Sequence, residues 1–164
     1  MTTTAYNVLF LCSGNSARSI LAEALMSQIG KDRFNAFSAG SAPRGHLLPE
    51  TEKLLATLQV PAGRYRSKSW EEFQTADAPR MDFVFTLCDD TARESCPKWP
   101  GTPMVGHWSL PDPAAVTGSE AEKAAAFAEV ARQLRNRIEL LCALPIHALD
   151  TLSLRKHLDT IAAS

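Results

Sequence analysis

At 164 residues, with 45% hydrophobic and 21% charged side chains, the chain has the size and balance of one soluble globular domain, spanning residues 1–164. A net charge of −1 offers no basic surface for nucleic acid, and no apolar run is long enough to span a membrane. Residues 1–5 lack the basic region of a signal peptide, so the four cysteines are expected to be cytoplasmic, reduced and available for chemistry.

The apolar run Val8-Leu9-Phe10-Leu11 places a first strand over Tyr6–Leu11, and Ala17–Gly30 reads as the first helix. Phe34–Ala39 alternates weakly and is the second strand, ended by Ser-Ala-Gly-Ser. Pro49–Leu58 begins at a proline, a favoured first helical position, and carries Leu54, Leu55 and Leu58 on one face. Ser69–Phe73 is a short helix that its own serine caps. Asp82–Leu87 is the third strand and Met104–Trp108 the fourth. Ser119, with Glu120 and Glu122 behind it, opens a long helix to Leu144, and Ala148–Ala162 is the last. Strands alternating with helices predict a parallel sheet with helices on both faces, and functional groups at the carboxyl ends of its strands.

Those ends hold the chemistry. Directly after the first strand comes Cys12-Ser13-Gly14-Asn15-Ser16-Ala17-Arg18-Ser19, with five residues between Cys12 and Arg18. That length suits a loop curled around a tetrahedral oxyanion, with backbone N–H groups and a helix N-terminus facing the charge. Arg18 adds a planar fork for two oxygens. Gly14 and Asn15 are the residues most tolerant of left-handed backbone, which a loop of inward amides needs. The positive surroundings predict a lowered pKa and a thiolate at Cys12, with the Ser19 hydroxyl as its hydrogen-bond partner. No Gly-Lys-Ser/Thr follows, so a nucleotide loop is a poor fit.

Cys88 ends the third strand and Asp112-Pro113 follows the fourth. In the order 2-1-3-4, strands one and three are neighbours about 5 Å apart, so Cys88 lies at the same end of the sheet as Cys12. Cys142 sits on an apolar helix turn and reads as core. Trp70, Trp99 and Trp108 read as packing, Arg44 and His46 as solvated, and nothing assigns His107 a proton. The scattered histidines and cysteines have no metal-ligand spacing, so no metal is expected.

Four ordered motifs resemble the low-molecular-weight protein tyrosine phosphatase superfamily, most of all the arsenate reductases built on that fold. They are Val8 to Ser19 with Ala22-Glu23-Ala24, then Phe37-Ser38-Ala39-Gly40, Thr86-Leu87-Cys88-Asp89, and His107-Trp108 with Leu110-Pro111-Asp112-Pro113. The resemblance covers nearly the whole chain. It implies a three-layer α/β sandwich, a four-stranded parallel sheet of order 2-1-3-4 and a monomer. Ala114 and Ala115 stand where the phosphatases carry tyrosines that frame an aromatic ester, which favours a small oxyanion.

The implied reaction is reduction of arsenate, with phosphate as an analogue. Cys12 attacks arsenic, residues 13–19 and Arg18 hold the added charge, and Asp112 is the general acid. Cys88 resolves the adduct and Cys96 attacks in turn, leaving a disulfide for thioredoxin, or for glutathione and glutaredoxin, as external reductant. No cofactor is bound. Cys88 and Cys96 are eight residues apart, one more than in thioredoxin-linked relatives, and position 17 is Ala where many relatives have a second loop cysteine. Some relatives hold a potassium ion near the loop. Asn15, Glu23 and Ser38 match part of that site, but Ser67-Lys68-Ser69 lacks its aspartate, so Lys68 rather than an ion is the candidate for that charge. Two rival readings use the same loop. One is a tyrosine phosphatase or phosphomonoesterase working through Cys12, Arg18 and Asp112. The other is a non-catalytic anion-binding module, against which the presence of both Arg18 and Asp112 counts.

Overall fold

The computed structural model describes residues 5–61, 63–88 and 99–164. Strands β1 (Tyr6–Leu11), β2 (Phe34–Ala39), β3 (Phe83–Thr86) and β4 (Met104–His107) form one parallel sheet in the order β2-β1-β3-β4. The expected order is therefore the observed one. β1 lies at the centre, and Val8 to Leu11 are fully buried on both of its faces, as its unbroken apolar run requires.

The two faces of β1 feed two cores. Val8 and Phe10 join Phe83, Phe85 and the apolar stripes of the helices in the larger one. Leu9 and Leu11 join Val84, Ala39, Phe73, Met81 and Trp99 in the smaller. The helices are α1 (Arg18–Ile29), α2 (Pro49–Thr57), α3 (Glu120–Cys142) and α4 (Thr151–Ala162). α1 buries Ile20, Leu21, Ala24 and Leu25, while α3 buries Phe127, Val130, Leu134, Ile138 and Leu141 at helical spacing. The opposite face is covered by a 3-10 helix, Trp70–Phe73, and by Trp99. Trp108 is fully buried and stacks on Phe85 with ring centroids 4.2 Å apart, so it is a packing residue as expected.

Boundaries shift where local hydrogen bonds outcompete the apolar pattern. Ser69 caps its segment by accepting from Glu71 N at 3.2 Å, but one tight 3-10 turn forms rather than an α-helix. α4 starts at Thr151, because the Asp150 carboxylate accepts from Ser153 N at 2.7 Å and caps it there; Ile146–Ala148 before it is a separate 3-10 turn. Ser119 caps α3 as expected, accepting from Glu122 N at 3.1 Å. Among the described residues, no helix is long and apolar enough to cross a membrane.

The register decides where the ends of the strands meet. Leu11 lies level with Ala39 on one side and with Thr86 on the other, and Thr86 is level with His107. The loop after β1, Gly40, Cys88 and the segment leading to Asp112 all emerge at one edge of the sheet.

Candidate active site

The loop from Cys12 to Ala17 is held open from outside by its own carbonyls. Ser13 O accepts from Ala42 N at 2.9 Å. Gly14 O accepts from Arg44 N at 3.0 Å and from the Ser67 hydroxyl at 3.1 Å. Ser16 O accepts from Leu48 N at 3.2 Å and from the Thr51 hydroxyl at 2.8 Å. In a trans peptide the N–H points opposite to the C=O. Turning these three carbonyls outward turns the amides of Gly14, Asn15 and Ala17 inward. The first turn of α1 has no side-chain cap at Ala17, so its amides face the same space.

Asn15 is the left-handed residue of this loop, with φ of 45°, and is fully buried. Asn15 alone supplies the left-handed position the loop needs; Gly14 is not left-handed, and the side chain of Arg44 lies 3.0 Å from where its Cβ would be. The Asn15 side chain donates to Ser19 Oγ at 2.7 Å and to Ser38 Oγ at 3.1 Å, and accepts from Lys68 N at 2.9 Å. These bonds support a backbone conformation that a non-glycine residue otherwise avoids.

Arg18 and Asp112 close the other side. The Arg18 guanidinium donates through Nη1 to Leu110 O at 3.0 Å, and its Nη2 lies 4.0 Å from Asp112 Oδ2. Among the described residues, Arg18 Nε is buried with no hydrogen-bond partner. A buried donor without a partner costs stability unless something from outside takes it, and an oxyanion in the loop is suited to do so. Asp112 is anchored through Oδ1, which accepts from Ala114 N at 2.9 Å and caps the 3-10 turn Pro113–Ala115. Its side chain is 41% exposed, and its other oxygen is left toward Arg18.

Cys12 is buried, and the environment acts on it against expectation. Its thiol is pushed well above its ordinary pKa, first by a hydrogen bond with the Cys88 thiol and then by burial. Arg18 and the Gly14 N–H pull the other way without prevailing. Burial and the neighbouring Cys88 thus act on Cys12 against the expected lowering. Ser19 Oγ accepts from Asn15 Nδ2, which leaves its own proton for another acceptor. Cys88 also lies 3.5 Å from Ser13 Oγ. Cys12, Cys88 and Cys142 are thiols. Cys142 is only half-buried at the edge of the larger core, 3.9 Å from the Met26 sulfur. The expected second resolving residue, Cys96, lies outside the described residues.

His107 Nδ1 meets Thr86 Oγ1 at 2.8 Å and Thr86 O at 3.0 Å, at the end of the sheet. Arg44 and His46 are exposed as expected, although the backbone of Arg44 supports the loop. The sequence reading missed Thr51 and Ser67 as loop supports. The only available signal was a fully buried threonine in the first turn of a helix, and burial is not visible in the sequence. Among the described residues, no three His, Cys, Asp or Glu side chains group as metal ligands.

Comparison with known proteins agrees with this geometry. Residues 7–151 match the low molecular weight phosphotyrosine protein phosphatase family. An arsenate reductase of Bacillus subtilis is 34% identical over 132 residues, which cover 80% of this chain and 91% of that protein. A solved arsenate reductase in the phosphate-binding state aligns with a TM-score of 0.68 and 25% identity, over 84% of this chain and 97% of that one. A thioredoxin-dependent arsenate reductase of Corynebacterium glutamicum aligns with a TM-score of 0.61 and 25% identity, over 86% of this chain and 62% of that one.

Proposed function

This chain belongs to the low molecular weight phosphotyrosine protein phosphatase family, and we propose that within it the protein is an arsenate reductase. One observation carries the choice of reaction: Cys88, 3.5 Å from Ser13 Oγ, lies at the base of the anion loop close enough to act on the Cys12 thiol. Hydrolysis of a phosphoester needs one thiol there. A two-electron reduction that ends in a disulfide needs two. The resemblance to the Bacillus subtilis reductase supports the same reading.

Arsenate enters the loop against the inward amides and the unpartnered Nε of Arg18. The Cys12 thiol gives its proton to an arsenate oxygen. The sulfur then attacks arsenic, an S–As bond forms, and Asp112 protonates the departing oxygen, which leaves as water. The amides and Arg18 hold the charge that develops on the remaining oxygens. Cys88 next attacks the sulfur of Cys12. The S–As bond breaks, its electron pair stays with arsenic, and the Cys88 proton goes to the departing oxyanion. Arsenic(V) leaves as arsenite, and the two sulfurs are left as a disulfide.

Cys96 then attacks the sulfur of Cys88; the Cys12–Cys88 bond breaks, Cys12 leaves as the free thiol, and the resulting Cys88–Cys96 disulfide is presented to an external reductant. The thioredoxin dependence of the Corynebacterium protein supports thioredoxin as the donor; glutathione with glutaredoxin is the alternative. The protein acts as a cytoplasmic, single-domain monomer.

A single turnover tests this. Fully reduced protein, freed of small thiols, is mixed with excess arsenate. Near-stoichiometric arsenite with loss of two thiols per chain is expected, and Cys88→Ser should release none. If Cys88→Ser still yields arsenite, Cys88 is not the resolving thiol. The second reading, a phosphomonoesterase, is favoured by the same loop and Asp112. It predicts that Cys88→Ser keeps full turnover of an aromatic phosphate while the wild type makes no arsenite, even with glutathione and glutaredoxin.

A further inference from the structure

Behind the anion loop lies a charged cluster that the reaction above does not use. Lys68 Nζ lies 3.7 Å from Glu23 Oε1, and it donates to Ser38 Oγ at 3.4 Å and to Arg66 O at 3.0 Å. Both charged side chains are nearly buried. Ser38 donates to Glu23 Oε1 at 2.5 Å and accepts from Asn15 Nδ2. Lys68 thus reaches Asn15 twice, through its backbone N–H and through its ammonium by way of Ser38. Arg66 is taken up by a two-pronged pair with Glu72, and among the described residues Lys68 is the cation paired with Glu23, with Arg64 acting on it more weakly.

This is the position at which some relatives carry potassium. Asn15, Glu23 and Ser38 supply oxygens for an ion, but here an ammonium already stands among them, and Asn15 Oδ1 is spent on Lys68 N. A free cation does not fit beside it. We propose that Lys68 is a tethered cation that positions Asn15, and with it the inward amides of the anion loop, so that oxyanion binding by this protein is independent of monovalent cations. A burial-driven cost attaches to both ions, since Glu23 is pushed up and Lys68 down from their ordinary pKa values. Removing the ammonium therefore leaves a carboxylate in need of a counter-ion and room for one.

The inference rests on the anion-loop reading, and the test separates the two. Thermal midpoints and inorganic phosphate affinity are measured in potassium chloride and in choline chloride at equal ionic strength, for the wild type, Lys68→Ala and the double variant Lys68→Met with Glu23→Gln. The wild type should show the same midpoint and affinity in both salts. Lys68→Ala should bind phosphate about tenfold more weakly in choline, and potassium should restore most of that loss. The double variant lacks the buried carboxylate and should ignore potassium. A wild type whose midpoint or affinity rises with potassium overturns the proposal, whether or not Lys68→Ala folds. So does a folded Lys68→Ala with no response to potassium. A wild type that binds no phosphate in either salt sinks the anion-loop reading instead, and the thermal comparison still judges Lys68.

Discussion

Cys12 and Cys88 alter one another's chemistry at the level of single atoms. A hydrogen bond with Cys88 is the first of the influences that push the Cys12 thiol above its ordinary pKa, ahead of burial. Cys88→Ala removes it, so iodoacetamide should alkylate Cys12 faster at neutral pH than in the wild type; an equal or slower rate would discount the contact. The same effect has a pH signature. Unfolded Cys12 releases its proton near its ordinary value of 9.0, while the folded site holds it to higher pH. Above that point the unfolded state binds fewer protons, so stability is fully present below it and falls as pH rises. The slope is at most about 1.4 kcal/mol per pH unit for one proton. Urea midpoints of reduced protein across the alkaline range should show it, and Cys12→Ala should flatten it.

At the scale of elements, the loop is a product of what surrounds it. Its carbonyls are tied to the segment after β2, to the first turn of α2 and to Ser67, so three separate pieces of chain fix the direction of its amides. Gly40, at the end of β2, is the tightest of these approaches. A Cβ there would clash with Ser13 O and would lie 2.8 Å from Cys12 O, both backbone atoms that cannot swing aside. Gly40→Ala should therefore displace the loop. Phosphate affinity by calorimetry should fall at least about tenfold, and stability by about 1–3 kcal/mol, as for overpacking elsewhere. Unchanged affinity would mean that the loop does not depend on this approach.

For the molecule as a whole, the loop carries donors left unsatisfied at a cost to the fold: among the described residues Arg18 Nε is buried and unpartnered, and the first turn of α1 has no side-chain cap. An anion that binds only the folded state should repay that cost as global stability. At phosphate a hundred times its dissociation constant, the gain is about 2.7 kcal/mol. It should appear in thermal melts as an upward shift. Arg18→Ala should fold but lose most of the shift. Equal shifts in both proteins would place the phosphate elsewhere.

Several features were legible in the residue order because they are local or periodic. The apolar run Val8–Leu11 marks a strand buried on both faces, and the residues from Cys12 to Ala17 join it to the helix that begins at Arg18. Ser119 caps its helix, and alternating strands and helices give the parallel order β2-β1-β3-β4. The placement of Cys88 at the same sheet edge followed from that order, since parallel neighbours end level with one another. What the residue order did not carry depended on which groups burial brings into contact. Thr51 and Ser67 support the loop from far along the chain, and Lys68 lies against Glu23 only because β2 and the segment after it pack behind α1. The influence of Cys88 and of burial on Cys12 was hidden for the same reason. The loop's own charges argue for a thiolate, but a second thiol and the loss of water, both consequences of tertiary packing, outweigh them.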